Sequence, residues 1–238
     1  MRILVTSDLH GATGMLPALS RVVSALAPDL VTFSGDVPPY LMTAEGQTGG
    51  EEEAAWETFL YFLGELPTPV AFIPGNLDGP ASALAARLLA ATKCFPNLHP
   101  VHGGTLIDEE GGHAIFGFGG GITDSDRSSG LLLRLPWWEA ALALLSTRTF
   151  GRRAIVLLHT PPVGVVDVEG GTHMGSRRVN ELIEEFRPGF VFCGHAHNAQ
   201  GSEVIAGTLV VNPGALNLGY YAVVDTESRK VDLEVLAP

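Results

Sequence analysis

Five short polar clusters in the sequence carry side chains of the kinds that bind metal ions, and each cluster follows an apolar run. The clusters are TSDLHG after ILV, SGD after LVTF, PGNLD after VAFI, LHTPP after AIVL and CGHAHN after FVF. If the apolar runs are neighbouring parallel strands, their carboxyl ends share one edge of the sheet, where ligands bind in α/β proteins. We therefore expect seven donors to converge there: Asp8, His10, Asp36, Asn76, His159, His195 and His197.

The spacing of these donors suits metal coordination. In Asp8-Leu9-His10 and His195-Ala196-His197, alternate residues of an extended segment point to the same side. Carboxylates gathered in one place repel each other unless cations neutralise them, and buried polar groups without partners are costly. A pair of divalent cations removes both penalties, and mixed imidazole and carboxylate donors suit Mn, Fe, Zn or Co more than calcium.

Each donor also has an ordinary structural explanation when it is considered alone. Asp8 is suited to cap the helix that follows it, Asp36 is suited to hold a turn, and the Asn and Asp of PGNLD commonly bond their own backbone in turns. A single His at a strand end is more often a hydrogen-bonded structural residue. The placement of all seven donors at strand ends argues against these explanations taken together.

Hydrophobic periodicity predicts the elements that position the donors. In the first half, short β-branched runs alternate with longer helical stretches, which indicates an α/β protein with a largely parallel sheet and flanking helices. The predicted strands are 2–6, 30–34, 70–73, 114–117, 154–158, 190–193, 201–205, 209–211, 220–224 and 230–235, and the predicted helices are 17–26, 51–63, 81–91, 136–145 and 176–186. Two unassigned stretches, 37–50 and 119–130, follow predicted strands and are candidate rims of the site.

Length and charge limit the classes of function. The 238 residues suffice for a substantial core, and no repeat or linker divides them, so we interpret 1–238 as a single domain. Lys and Arg number 14 and Asp and Glu 26, which gives a net charge of −12. This sign argues against nucleic acid and anionic lipid as partners.

Two further features favour a cytoplasmic location. Cys94 and Cys193 lack the spacing of a disulfide framework or a zinc site, so we interpret them as reduced thiols. The start of the chain, MRILVTSDLHG, has an apolar stretch far shorter than an export signal or a membrane span. No membrane association is expected, and a homo-oligomer is left open because an exposed Trp137 or Trp138 could form a subunit contact.

The ordered motifs DLH, GD, GNxD, a strand-ending His and GHxH resemble those of the calcineurin-like metallophosphoesterases over nearly the whole length. Residues 159–162, 171–176 and 194–197 are also similar to segments of a narrower bacterial and archaeal branch, the Icc-related predicted phosphoesterases. The resemblance implies a four-layer α/β/β/α sandwich with two metals at the strand ends. It implies that Asp8, His10 and His197 hold one metal, that Asn76, His159 and His195 hold the other, and that Asp36 bridges them.

The function implied is hydrolysis of a small phosphomonoester or phosphodiester, with nucleotides among the candidate substrates, without a covalent enzyme intermediate. Two bridged cations can hold a hydroxide as the nucleophile, because metal binding lowers the pKa of water from about 15.7 towards roughly 7. The catalytic candidates are Asp36, Asn76 and His173. Arg127, Arg177 and Arg178 are the nearest predicted cations for a substrate phosphate.

One position departs from the family pattern. The family commonly has a His between the Asn and the acidic residue of the third motif, whereas this chain has Leu77. Leucine cannot protonate a leaving group, and general acid catalysis is typically worth ~10²–10⁴-fold. His173 is a candidate substitute, with Asp78 to orient it; otherwise the enzyme would require leaving groups that depart without a proton.

Two other classes of function remain open from the sequence. A metal-stabilised binding scaffold without catalysis is the main alternative, although the intact set of seven donors argues against it. A metal-dependent nuclease is the second, and it would need a basic groove, which a net charge of −12 makes doubtful.

Overall fold

The structure is a computed structural model, and it describes residues 1–39, 50–109, 111–123 and 132–237. Its strands are β1 (Arg2–Thr6), β2 (Leu30–Phe33), β3 (Val70–Phe72), β4 (Leu98–Pro100), β5 (Thr105–Ile107), β6 (Ala114–Phe118), β7 (Gly121–Thr123), β8 (Arg134–Pro136), β9 (Ala154–Leu158), β10 (Val168–Glu169), β11 (Thr172–His173), β12 (Phe190–Phe192), β13 (Gly201–Ile205), β14 (Thr208–Asn212), β15 (Tyr220–Asp225) and β16 (Lys230–Val235). Its α-helices are α1 (Leu16–Leu26), α2 (Gly50–Gly64), α3 (Ala81–Cys94), α4 (Trp137–Ala143), α5 (Thr147–Phe150) and α6 (Arg177–Phe186). All the strands and helices predicted from periodicity are present.

Two six-stranded sheets form the centre of the described structure. Their strand orders are β16-β15-β1-β2-β3-β4 and β13-β14-β12-β9-β6-β5. Strands β1 to β4 are mutually parallel in the first sheet, and β6, β9, β12 and β14 are parallel in the second. The expectation of convergence on one sheet edge is therefore wrong, because the parallel strands are divided between two sheets.

The layer order follows from strands that are buried on both faces. In β1, Leu4 packs in a cluster with α1, α2 and α3, whereas Ile3 and Val5 pack in a second cluster between the two sheets. In β9, Leu157 joins the cluster between the sheets, and Val156 packs in a third cluster with α4 and α6. Three apolar interfaces of this kind define four layers, α/β/β/α, as the resemblance implied.

Helix α6 shows how the sequence fixes one of these layers. Its buried residues, Val179, Leu182, Ile183 and Phe186, recur at helical spacing, and each contributes roughly 1.5–3 kcal/mol when fully buried. The helix begins after Ser176, whose side chain accepts a hydrogen bond from the backbone N–H of Arg178. A backbone hydrogen bond from Ser176 N to Pro161 O holds the start of α6 beside the segment that follows β9.

The predicted rim segments are described only in part. Residues 40–49 of the first rim and 124–130 of the second lie outside the described residues. The described part of the second rim forms β7, which pairs in parallel with β8.

Candidate metal centre

The structure brings all seven predicted donors to the carboxyl ends of parallel strands. Asp8, His10, Asp36 and Asn76 follow β1, β2 and β3 of the first sheet, whereas His159, His195 and His197 follow β9 and β12 of the second. The donors form two groups, and each group combines residues from both sheets.

The first donor group consists of Asp8, His10 and His197. Asp8 Oδ1 lies 3.5 Å from His10 Nε2 and 3.3 Å from His197 Nε2, and the two Nε2 atoms are 3.1 Å apart. Asp8 is fully buried, and its Oδ1 accepts no hydrogen bond. A buried carboxylate oxygen without a hydrogen bond, facing two imidazole nitrogens, fits a divalent cation held among the three side chains.

The second donor group consists of Asp36, His159 and His195, with Asn76 beside it. His159 Nε2 lies 3.4 Å from Asp36 Oδ2 and 3.0 Å from Asn76 Oδ1. His159 Nδ1 is 2.7 Å from the carbonyl oxygen of Ser34, so in the neutral ring Nδ1 donates and Nε2 presents a lone pair to the group. This tautomer is the one that a metal bound at Nε2 requires.

Backbone strain is concentrated at these donors. Asp8, His10, Asp36 and His195 have φ values of 59°, 45°, 62° and 68°, in the left-handed region that non-glycine residues rarely adopt. The Asp8 conformation is held by two backbone hydrogen bonds, from Asp8 N to Gly35 O and from Asn217 N to Asp8 O. Strain of this kind persists where the surroundings over-determine it and clusters at functional sites.

Two glycines allow the loops of the two groups to approach each other. A Cβ on Gly194 would collide with Ser7 Oγ and Asp8 Oδ2, and a Cβ on Gly75 would collide with Asp36 Oδ1. The close approach lets the backbone N–H of His195 donate to Asp8 Oδ2 at 3.0 Å. The carboxylate of the first group is therefore positioned by the loop that carries donors of both groups.

Electrostatics at the donors favour bound positive charge. Burial alone would raise the pKa of Asp8, but His10 and His197 outweigh it and hold that pKa far below its usual range. Burial alone would lower the pKa of His159, but the Asp36 carboxylate raises it to about 10. Burial lowers the pKa of His195 to about 4, with the nearby His159 acting in the same direction. Bound divalent cations would neutralise the Asp8 and Asp36 carboxylates without requiring protonated imidazoles beside them.

Asp78 lies beneath the loops rather than beside His173. It is fully buried, and its carboxylate accepts backbone hydrogen bonds from Asp36 N, Val37 N and Gly75 N at 2.9, 2.9 and 2.6 Å. Burial and the charge of Asp36 raise its pKa to about 7, against the effect of the three N–H donors. The expectation that Asp78 orients His173 is therefore wrong, and Asp78 instead ties the Asp36 loop to the Asn76 loop.

His173 lies on the two-stranded hairpin of β10 and β11, with 56% of its side chain exposed. Its Nδ1 is 2.9 Å from Oδ1 of the buried Asp167, whose Oδ2 also accepts a hydrogen bond from Gly175 N. An orienting carboxylate was predicted for the His173 imidazole, but the residue that provides it is Asp167 and not Asp78. The sequence reasoning missed Asp167.

The same hairpin contacts the first donor group through Glu169, which the sequence reasoning also missed. Glu169 Oε2 accepts a hydrogen bond from His197 N at 3.0 Å, and Oε1 lies 3.6 Å from His197 Nδ1. A usable signal was present, because Gly170-Gly171 between two short extended segments is typical of a two-residue hairpin turn.

A cleft of about 170 Å³ opens beside the second donor group. Its lining consists of Asn76, Gly121, Ile122, Thr123, Arg134, Thr160, Met174, Gly175, Ser176 and His195. Of the three predicted phosphate-binding arginines, Arg127 lies outside the described residues. Arg178 pairs with Glu181 and lies over the Trp137 ring, and Arg177 is exposed at the start of α6 and does not line the cleft. Arg134 is the cation that the structure places in the cleft wall, and nothing in its local sequence singled it out.

The two-sheet fold and the two largely buried donor groups indicate an α/β protein with candidate metal sites, and comparison with known proteins specifies the family. Residues 1–236 match the family model of the metallophosphoesterases of the calcineurin superfamily. The chain therefore belongs to this family of metallophosphoesterases, and its two donor groups are candidate sites for two divalent metal ions.

Individual relatives match the fold of this chain or part of its sequence. A Thermus thermophilus protein of known structure shares 24% identity over 99% of both chains, with a TM-score of 0.81. A dimetal phosphatase from Danio rerio superposes with a TM-score of 0.64 at 9% identity, over 94% of this chain and 91% of the other. An uncharacterized protein of Methanocaldococcus jannaschii is 32% identical over 89 residues, which span 35% of this chain and only 39% of that relative. The solved structures are below 25% identity and support the fold alone.

Within the described residues, none of the helices has the length and apolar character needed to span a bilayer.

Proposed function

We propose that this chain hydrolyses a small phosphomonoester or phosphodiester with two divalent cations. Asp8, His10 and His197 would hold one cation, Asn76, His159 and His195 would hold the other, and Asp36 would be shared between them. The observation that carries the proposal is the pairing of two largely buried donor groups, each assembled from both sheets, in which the fully buried Asp8 Oδ1 accepts no hydrogen bond.

When bound, the two cations would supply a hydroxide nucleophile at neutral pH and screen the negative charge of the phosphate. The role of the chain is to hold its donors ready before substrate binds. Ser34 O orients His159, Leu77 N donates to Asp36 Oδ1 at 2.8 Å, and His195 N donates to Asp8 Oδ2. Donors fixed by backbone hydrogen bonds need no rearrangement when charge develops on the phosphate.

The proposal is tested with bis(p-nitrophenyl) phosphate and p-nitrophenyl phosphate after chelation and reloading with Mn²⁺. We expect hydrolysis that depends on added metal and is abolished by Asp36→Asn. Asp232→Asn is the matched control, because Asp232 lies on the edge strand β16 and pairs with the exposed Lys230. Equal activity of the Asp36→Asn and Asp232→Asn proteins would refute the assignment of Asp36.

The same assay separates the alternative functions. Stoichiometric metal binding without hydrolysis of any ester would indicate a binding scaffold. Salt-sensitive binding of DNA together with its cleavage would indicate a nuclease, which the net charge of −12 disfavours.

His173 is proposed as the proton donor for substrates whose leaving groups need one. Asp167 fixes its Nδ1, which leaves Nε2 as the atom able to transfer a proton. His173→Ala should then slow hydrolysis of alkyl phosphate esters by about 10²-fold while leaving aryl esters nearly unchanged. Unchanged rates on both ester classes would eliminate this role.

The proposed metal identity, domain organisation, location and subunit association are those expected from the sequence. The cations are drawn from Mn, Fe, Zn and Co, the chain works as a single domain in the cytoplasm, and subunit association remains open. Metal analysis of the purified protein and its mass in solution measure the first and last of these directly.

A further inference from the structure

A cavity of about 520 Å³ lies at the end of the sandwich opposite to the donor groups. Its lining includes Leu30 at the start of β2, Pro69 just before β3 and Ile115 near the start of β6. The donors follow the carboxyl ends of the parallel strands, so the length of the strands separates this cavity from the metal centre. Its volume is in the range of small-molecule sites, roughly 300–1,000 Å³.

The floor of the cavity is apolar and belongs to the layer between the two sheets. Leu30 and Ile115 are almost fully buried in the cluster between the sheets, and the half-buried Leu106 packs against it. Leu106 pairs with Ile115 across β5 and β6, and directly paired residues share a face of the sheet, so Leu106 faces the space between the sheets. His99 of β4 faces the same space, because it pairs with Ala71 of that cluster. The cavity is therefore an opening into this layer between the edge strands β4 and β5.

The rim of the cavity is acidic. Asp29 directly precedes β2 of the first sheet, whereas Asp108 and Glu109 directly follow β5 of the second. The described lining contains no lysine or arginine, and its only cationic group is the α-amine of Met1. Burial lowers the pKa of His99, so its ring is neutral at pH 7.5 and does not repel a cation. The lining therefore favours a positively charged ligand.

The three carboxylates of the rim keep their charge available for a ligand. None of them forms an ion pair with a lysine or arginine in the part of the chain that the structure describes. Asp29 Oδ2 accepts a hydrogen bond from Arg2 N at 2.6 Å, which fixes the side chain without neutralising it. Hydrogen bonds between ammonium groups and carboxylates are among the stronger ones in proteins, because both partners are charged.

The two acidic sides of the rim belong to different sheets, and stacked sheets lie about 10 Å apart. We propose that the cavity binds a linear aliphatic diamine, with one ammonium group at Asp29, the other at Asp108 and Glu109, and the alkyl chain on the apolar floor. Charge-assisted hydrogen bonds and the burial of methylene groups hold this ligand, and no covalent bond is made or broken. The site is independent of the proposed function, because none of its lining residues belongs to the donor groups or to the cleft beside them.

The test is a calorimetric titration of the Mn²⁺-loaded protein with three amines at pH 7.5, where all of them are protonated. The diamine 1,8-diaminooctane has two charged ends and an apolar chain, octylamine has one charged end, and spermidine has a third charge within its chain. We expect 1,8-diaminooctane to bind at one site about 10-fold more tightly than octylamine, the lower end of the value of a hydrogen bond to a charged group. It should also bind about 10-fold more tightly than spermidine, whose inner ammonium group would lie on the apolar floor.

Variants of the rim and the floor locate the binding site. Asp29→Asn and Asp108→Asn should each weaken binding of 1,8-diaminooctane by about 10-fold, and asparagine can still accept the hydrogen bond from Arg2 N. Leu106→Trp should fill the cavity and abolish binding. Glu203→Gln is the matched control, because Glu203 is exposed on β13, at the opposite edge of the second sheet from β5. An unchanged circular dichroism spectrum would show that each variant is folded.

Three results would refute the site. Equal affinities for octylamine and 1,8-diaminooctane would show that only one end of the ligand is bound. Tightest binding of spermidine would indicate a general attraction of cations to a chain of net charge −12. Unchanged affinity in the Asp29→Asn, Asp108→Asn and Leu106→Trp proteins would place the diamine elsewhere.

A competition experiment separates this site from the metal centre. Inorganic phosphate, which is expected to bind at the metal centre, should leave the affinity for 1,8-diaminooctane unchanged, and competition between the two would refute the cavity as the binding site. None of these measurements depends on hydrolysis, so the proposed function is tested separately by the Asp36→Asn assay.

Discussion

Replacing Glu169 with Gln tests whether the hairpin of β10 and β11 contributes to metal binding. The Glu169 carboxylate contacts His197 twice, at the backbone N–H and at Nδ1, and Oε1 also accepts a hydrogen bond from Asn198 Nδ2 at 3.2 Å. A cation on Nε2 of His197 would leave Nδ1 as the protonated nitrogen facing Glu169. The carboxylate then stabilises both the tautomer and the positive charge on the ring.

The expected magnitude follows from this geometry. Loss of such an outer carboxylate typically costs 10–100-fold in metal affinity, in the range of about 1.4–2.7 kcal/mol. Glu169 is 27% exposed and its Oε1 is 3.6 Å from Nδ1, so we expect the lower end, about 10-fold. The second donor group should be unaffected, because its His159 is oriented by the neutral carbonyl of Ser34.

The measurement is a calorimetric titration of metal-free protein with Mn²⁺, supported by the electron paramagnetic resonance of bound Mn²⁺. Glu169→Gln should weaken one of two binding steps, and Glu203→Gln, an exposed glutamate on β13, should change neither. Equal weakening of both steps, or of neither, would refute the reasoning.

Four other changes probe separate parts of the centre. Gly194→Ala should lower activity by about 10²-fold through displacement of Asp8, whereas Gly14→Ala, where a Cβ meets nothing within 4 Å, should be silent in the same assay. Asp78→Asn should reduce the free energy of unfolding in urea by about 2–4 kcal/mol, because an amide N–H₂ would face a backbone N–H donor; a loss below about 0.5 kcal/mol would contradict this. Mn²⁺ at about 100 times its Kd should raise the free energy of unfolding by about 2.7 kcal/mol per site. An unfolding midpoint that EDTA does not change would exclude this stabilisation. In the His173→Ala protein, Leu77→His should speed hydrolysis of alkyl esters by roughly 10²-fold and leave aryl esters nearly unchanged; no gain on alkyl esters would show that loss of a proton donor is not the limiting defect of that variant.

The donors were predictable because each one directly follows a strand whose apolar residues are easy to recognise. Val70–Phe72, for example, is buried throughout, and Asn76 follows within one short turn. The division into two sheets was not predictable from periodicity, since β1 and β9 show the same doubly buried pattern although they lie in different sheets.

The tertiary contacts of supporting residues were beyond the sequence patterns, even for Glu169, where the Gly170-Gly171 turn of its hairpin was recognisable. Glu169, Asp167 and Arg134 are ordinary charged residues in loops or short strands, and only the packing of those segments brings them to the donors or the cleft. Asp78 was predicted as a supporting residue near the site, but its partners are backbone N–H groups that no spacing rule identifies. Local sequence patterns identify residues that a single strand positions at the site. They miss residues that reach the site only when several segments pack together.

Because each donor group takes ligands from both sheets, neither half of the sandwich can hold an ion tightly by itself. Metal binding at the proposed sites would therefore require correct packing of the two sheets, because a molecule whose sheets are misaligned offers each cation an incomplete set of donors. If Mn²⁺ is added only after refolding, it should bind the correctly packed molecules. The misassembled molecules, which bind no metal, should be cleaved faster by an added protease.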